Sequence, residues 1–422
     1  MRTTLAALLA AGLLSLSACS GEDGAGATDR TATEPADSPT SASTASSPDA
    51  PAEAGEAGEA GDGEDSAQAG QSGHSGHEAK PVRSRPLRAG ETRTTIAMPA
   101  AYTPSAPYGT GTDDYRCFLL DPQLDQDAWL TGTQVLPGNP EVVHHVILFQ
   151  VPPGQVEAAE AKDAAEEDEG WTCFGGAGLD RFQNVDRSSW IGAWAPGSEE
   201  SVTKPGYGVR LRKGSRIVMQ VHYNLLAGQQ PDTSSAQLRL APGTRDYEAL
   251  STMLLPAPVE LPCRPQHSDG ELCDRDAAVA DVKERFGAEG NTADLLHLLC
   301  GGEPRAGEVQ SCVRTLSEPI TIHGVAGHMH LLGRSLTIEV DPGTPRARTI
   351  LDIPVWDFDD QGSRPIAPIH LEPFEQVKVT CRHVQWLRDK LPSFEGQPDR
   401  YVVWGEGTTD EMCLGMLQVT RP

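Results

Sequence analysis

From about residue 93 onward, short runs of apolar positions alternate with polar positions and turn residues. VVHHVILFQV, SRIVMQVHYNLL, SLTIEV, QVKVTCRHV and RYVVWGEG are separated by Pro and Gly. Strands this short, divided by turn signals, predict β-sandwiches or barrels. The roughly 330 residues involved suit two domains of about 150 each. The turn-rich APGTRDYEAL at 241–250 marks the boundary, giving domains over 93–243 and 244–422.

Residues 263–312 break this pattern. DRDAAVADVKERFG puts Val279, Val282 and Phe286 on one helical face and ends at Gly287, a residue suited to a helix terminus. NTADLLHLLCG predicts a second short helix, capped by Asn291 or Thr292, with His297 as a structural residue inside it. The all-β chain therefore carries a small helical insertion.

Residues 19–92 are built from Gly, Ala, Ser, Thr, Pro and acids, with almost no large apolar side chain. Such a segment cannot offset its ordering entropy by burial and is expected to be a disordered tether. His74 and His77, within it, are expected to be incidental. The preceding MRTTLAALLAAGLLSLSACS has one arginine, a short apolar stretch and small residues, the form of a signal peptide over residues 1–18. Its Leu16-Ser17-Ala18-Cys19 ending resembles the lipobox of bacterial lipoproteins. That resemblance implies an exported protein, lipidated on Cys19, anchored to the cell membrane and facing the periplasm or the outside.

At 422 residues and 38% hydrophobic, the chain can bury one or two sizeable cores. Its formal charge of −26 argues against a nucleic-acid partner. Acids are dense in the tether and in AEAKDAAEEDEG (159–170), expected to be solvated, so much of that charge need not lie on the folded part. No serine triad, P-loop, GxGxxG or HExxH motif supports a hydrolase or nucleotide-binding reading. Apart from Cys19 there are eight cysteines: 117, 173, 263, 273, 300, 312, 381 and 413. An even number in an exported chain suggests disulfides, and the absence of CxxC disfavours a structural zinc site. Nested pairing of Cys263 with Cys312 around Cys273 with Cys300 would staple the helical insertion.

The histidines carry the candidate chemistry. In GVAGHMHLLG, His328 and His330 share a strand face, and Met329 takes the other. Met412 or Met416, which share a face in TDEMCLGMLQV, could add a thioether. In PEVVHHVILFQ, the adjacent His144 and His145 would point apart in a regular strand. A bulge, strand twist or use of different ring nitrogens is needed to bring them together. His222 in IVMQVHYN shares its face with Val218 and Gln220. Three imidazoles in one group, and two with a thioether in another, favour copper over zinc, since a thioether suits Cu(I).

In order, PEVVHHVILF, QVHYN, GHMHLLG and GTTDEMC resemble the copper type II, ascorbate-dependent monooxygenases, the family of dopamine β-monooxygenase and peptidylglycine α-hydroxylating monooxygenase. The resemblance covers about residues 93–422 except the insertion. It implies two consecutive jelly-roll-like β-sandwiches, each with one copper. His144, His145 and His222 would hold the electron-transfer copper. His328, His330 and Met412 would hold the copper that activates dioxygen, and so would be catalytic. Cys381–Cys413 and Cys117–Cys173 would be disulfides. The implied reaction is hydroxylation of a small organic substrate, reached through an exposed cleft between the domains, with ascorbate or another reductant as co-substrate.

The chain departs from the peptide-amidating member. Where that enzyme grips a carboxylate, Ala326, Leu414 and Met416 stand here, so peptidylglycine is not the expected substrate. His323, Trp356, Asp357 and Asp359 could line a pocket near the second copper. Trp190 and Trp194 in WIGAWAPG are expected to be core residues beside the first. His370 and His383 are expected to be structural or surface residues, and His267 exposed. The alternative is a copper-binding or copper-storage lipoprotein without turnover.

Overall fold

The computed structural model describes residues 84–107, 111–179, 184–196, 198–358 and 360–422. The signal-like segment, Cys19, His74, His77 and most of the 19–92 stretch lie outside the described residues, as does Asp359.

The strands predicted from alternation form four main sheets, packed in two consecutive β-sandwiches. The first contains β1 (Thr92–Ala97), β2 (Asp113–Leu120), β3 (Ala128–Leu136), β4 (Val143–Val151), β5 (Trp171–Thr172), β6 (Trp190–Trp194), β7 (Ser201–Val202), β8 (Tyr207–Leu211), β9 (Arg216–Asn224), β10 (Ser235–Pro242) and β11 (Glu248–Ala249). One sheet runs β1-β10-β3-β8-β11 with β7 beside β3, and the other runs β5-β2-β9-β4-β6. Phe118, Leu130, Val146, Leu148, Met219, Val221 and Leu238 meet between them.

The second sandwich contains β12 (Ser251–Ala257), β13 (Glu260–Leu261), β14 (Val309–Thr315), β15 (Ile320–His328), β16 (Gly333–Val340), β17 (Arg348–Ile353), β18 (Arg364–Leu371), β19 (Gln376–His383), β20 (Val402–Val403) and β21 (Cys413–Thr420). Its sheets run β12-β21-β15-β18 and β14-β19-β16-β17, while β13 and β20 pair apart. Ile322, Val325, Leu336, Ile338, Val379 and Leu417 fill its core. Because β11 still pairs with β8 and β12 with β21, strand pairing passes from one sandwich to the other at Leu250.

Three α-helices occur among the described residues: α1 (Val156–Asp163), α2 (Arg275–Phe286) and α3 (Thr292–Cys300). Helix α2 buries Val279, Val282 and Phe286, Asp274 caps its start, and Gly287 follows at φ 61°. The acidic run at 159–170 contains most of α1 and the turn after it. His297 is buried in α3 against Glu260, with Nε2 2.7 Å from the carboxylate.

The disulfides are Cys117–Cys173, Cys381–Cys413, Cys263–Cys273 and Cys300–Cys312. The last two correct the nested pairing of Cys263 with Cys312 and Cys273 with Cys300. Nesting would require Cys263 and Cys312 to be neighbours. Cys312 instead lies in β14 against β19, while Cys263 follows β13, which pairs with β20. Each cysteine finds the next one along the chain, closing separations of only 10 and 12 residues.

Candidate metal centres

The first site grows from the outer face of the β5-β2-β9-β4-β6 sheet. On β9, Met219, Val221 and Tyr223 face the core, which turns Val218, Gln220 and His222 outward. On β4, Val143 and Val146 both contribute to that core. Regular alternation cannot place two inward residues three apart. The register accordingly slips between Val143 and His145, so that His145 pairs with His222 and His144 is the extra residue. This bulge brings the adjacent histidines to one side.

The three Nδ1 atoms converge. His144 to His222 is 3.0 Å, His145 to His144 is 3.3 Å and His222 to His145 is 3.3 Å. A point equidistant from all three lies roughly 1.9 Å from each, close to a metal–imidazole bond of about 2.0–2.1 Å. His222 Nε2 lies 2.8 Å from Asp113 Oδ1. In the neutral ring that proton sits on Nε2, so Nδ1 offers a lone pair. A cation satisfies three converging nitrogens better than hydrogen bonds among them, and the group could hold a metal ion.

Burial and the neighbouring imidazoles hold His144 and His145 well below the usual histidine pKa. Burial also lowers His222, against the opposing pull of Asp113. Neutral imidazole is the ligand form. Burial alone would raise Asp113, but hydrogen bonds from His222 and Thr408 hold it below the normal carboxylate range. Tyr115 stacks on the His222 ring, with centroids 4.0 Å apart and planes at 13°.

The second group lies at the end of β15. Met329 is fully buried in the core, and His328 and His330 lie on the other side of the chain with ring centroids 5.0 Å apart. The strand ends at His328, so His330 sits in the turn that follows. Its Nδ1 donates to the Asp410 carbonyl at 3.2 Å, and its buried Nε2 has no hydrogen-bond partner among the described residues. An orphaned buried nitrogen is costly unless something binds it. His328 Nδ1 donates to Gln361 Oε1 at 2.5 Å. Burial and His330 lower the His328 pKa to about 3. His328 pairs with Leu414 across β21, and Met412 is buried just before that strand begins at Cys413. The free imidazole nitrogens of this pair fit a metal that accepts nitrogen donors.

Several supports were not evident from sequence. Glu411 is fully buried. Its Oε2 accepts from the His330 amide at 3.0 Å, and its Oε1 accepts from Leu332 at 2.5 Å. His383 Nε2 lies 3.2 Å from Glu411 and 3.1 Å from the Met412 carbonyl. It therefore supports the methionine from beneath, although it was expected only to be structural or on the surface. The one available signal was the position of Glu411 beside Met412 in DEMC. Nothing in DDYRCFLL distinguishes Asp113 from an ordinary strand-end acid.

Trp190 packs edge-on against Phe149, and Trp194 pairs with Val146 on the strand next to β4. His323 does not join the second group. It lies farther up β15, with Tyr207 at 4.7 Å and Thr420 at 2.9 Å. Trp356 packs beside Gly333. His370 is exposed against Thr321 and Glu372, and His267 is exposed. Ala326 pairs with Met416, next to the His328–Leu414 pair, so these three positions form one apolar patch.

Among the described residues the two groups lie against one another where an open cleft was expected. His145 and His328 have ring centroids only 5.9 Å apart. Phe358 stacks on His144 at 4.8 Å, and Gln361, whose amide donates to the Phe358 carbonyl, covers His328. The segment between β17 and β18 thus crosses both groups.

No family model matches the chain, and no curated protein matches it. Among solved structures it is similar to procruciferin, an 11S globulin from Brassica napus, at 10% identity, covering 82% of this chain and 86% of that one, with a TM-score of 0.15. It is also similar to the coconut allergen cocosin (10% identity, 78% and 85% covered, TM-score 0.14). A third is the Lactobacillus farciminis oxalate decarboxylase formate complex (6% identity, 78% and 86% covered, TM-score 0.15). Likenesses this low carry no argument about function, which is read from the chain's own residues.

Proposed function

We propose that the chain is a copper-dependent monooxygenase that hydroxylates a C–H bond of a small organic substrate. The observation that supports this most is a triangle of three Nδ1 atoms beside a second histidine pair that carries an orphaned imidazole nitrogen. His144, His145 and His222 hold one copper; His328, His330 and Met412 hold the other. Copper, when bound, supplies one-electron redox chemistry and activation of dioxygen. The chain's residues fix the geometry: Asp113, Gln361 and the Asp410 carbonyl each occupy one ring nitrogen, leaving the other for metal.

One oxygen atom enters the substrate C–H bond and the other leaves as water. Ascorbate or another reductant gives two electrons, and two protons complete the water. The apolar Ala326, Leu414 and Met416 patch favours a substrate without a carboxylate at that position. Four disulfides suit an oxidising compartment, in keeping with an exported, Cys19-lipidated protein tethered at a membrane surface. No helix among the described residues is long and apolar enough to cross a membrane.

The test is ascorbate-driven oxygen consumption by the copper-loaded chain across a panel of amines, phenols and other small C–H donors. The reading expects one substrate class to raise oxygen uptake with matching hydroxylated product, and His330→Ala to abolish both. Tight copper binding with no coupled uptake for any substrate would leave the copper-storage reading in its place.

A further inference from the structure

We propose that Thr408, on a loop of the C-terminal sandwich, is a positioning residue for the metal site of the N-terminal sandwich. The proposal rests on the reading that His144, His145 and His222 bind copper. Asp113 Oδ1 receives His222 Nε2 at 2.8 Å, and also the Thr408 hydroxyl at 2.6 Å and the Thr408 amide at 3.0 Å. Thr408 and Asp113 are both buried, so water does not readily replace these donors. They aim the carboxylate at the imidazole edge, and the carboxylate fixes which His222 nitrogen is free.

The same loop also holds the face of that ring. Tyr115, stacked on His222, donates its hydroxyl to the Glu406 carbonyl at 2.7 Å. Edge and face supports of His222 thus end on consecutive parts of one segment outside its own sandwich. Hydrogen bonds and an ion pair hold that segment in place. The Asp410 amide donates to the Gly407 carbonyl at 2.9 Å, and the Asp410 carboxylate accepts from the Gly407 amide and, through both oxygens at 2.7 Å, from Arg285 of α2. A Cβ on Gly407 would lie 2.8 Å from Asp410 Oδ2 and 3.1 Å from Asp113 Oδ2, so only glycine lets the loop approach this closely. The helical insertion therefore braces, through Arg285, a loop that completes a site in the other sandwich.

The experiment uses the full chain carrying His328→Ala and His330→Ala, so that only the first site is read. Cu(I) affinity is measured against a competing chelator without oxygen, and the Cu(II) form by electron paramagnetic resonance. Thr408→Val should weaken affinity by about 10- to 100-fold and shift the copper hyperfine coupling. Thr408→Ser, which keeps the hydroxyl, should restore both. Tyr115→Phe, which loses only the contact to Glu406, should weaken binding in the same direction and keeps the test available if the valine variant folds poorly. Parent-like affinity and spectrum in both Thr408→Val and Tyr115→Phe would overturn the proposal. A parent that binds no copper would overturn the copper reading and this inference with it.

Discussion

His222, His328 and His330 each have one nitrogen taken by an oxygen of the protein, and the identity of that nitrogen differs between the groups. His222 gives Nε2 to Asp113, whereas His330 and His328 give Nδ1 to Asp410 and Gln361. The first group therefore presents Nδ1 and the second Nε2. At His330 this arrangement depends on Glu411, whose two oxygens hold two amides of the turn. Glu411→Gln keeps the size but replaces one accepting oxygen with a donor. It should cost about 1–3 kcal/mol in denaturant unfolding and lower copper affinity at the second site alone. Equal loss at both sites would contradict this role. Asp114 offers a separate pH-dependent test. Its Oδ2 accepts from Tyr102 and Ser105, its Oδ1 has no partner among the described residues, and burial pushes its pKa up to about 6. The folded state thus holds this proton more tightly than an unfolded carboxyl of pKa about 3.9. The cost of burying the charge is absent below about pH 4, grows as pH rises, and is complete above about pH 6. Asp114→Asn should gain stability relative to wild type across that window, read as a melting-temperature difference that widens with pH.

Among the elements, β4 and the strand pair β15–β21 do most to assemble the sites. Alternation made the β4 strand legible, and the adjacent histidines signalled that a bulge was needed to use both. The bulge itself depends on Val143 and Val146 both entering the core, which the sequence could not show without the partner sheet. His328 and His330 were legible as residues sharing a face, but the strand ending at His328 was not. Glu411, in the segment that precedes β21, holds the following turn in its place. The Cys381–Cys413 disulfide ties β19 to β21 directly after Met412. Replacing both cysteines with serine should cost about 3–4 kcal/mol. Copper should then be lost from the second site at lower denaturant than from the first. Simultaneous release would argue that the disulfide does not support the methionine. The pairing errors at 263–312 have a simple origin. Cysteine spacing does not reveal that β13 and β14 belong to different sheets.

For the whole molecule, contacts among the described residues join the two sandwiches around the candidate sites. Tyr115 and Asp113 reach the 405–411 loop, and Phe358 returns the contact by stacking on His144. Strand content, the helical insertion and the His144-His145 and His328/His330 pairs were legible because each is local in sequence, whereas His222, 78 residues from His144, was joined to that pair only through the family resemblance. The supports were not, since Asp113 and Thr408 are 295 residues apart and neither belongs to a local motif. Phe358→Ala should uncover the first group and speed copper uptake by the metal-free chain several-fold in stopped-flow measurements, with final stoichiometry unchanged. An unchanged rate would mean that metal enters by another route.

The central claim is that two separate copper sites exist, and the most direct measurement is copper stoichiometry. The full chain would be loaded with Cu(I) without oxygen, stripped of loose metal and assayed by elemental analysis. Two tightly held coppers per chain are expected, falling to one in His328→Ala/His330→Ala and to one in His144→Ala/His145→Ala. A chain that keeps no tight copper, or loses both together in either variant, would contradict that claim.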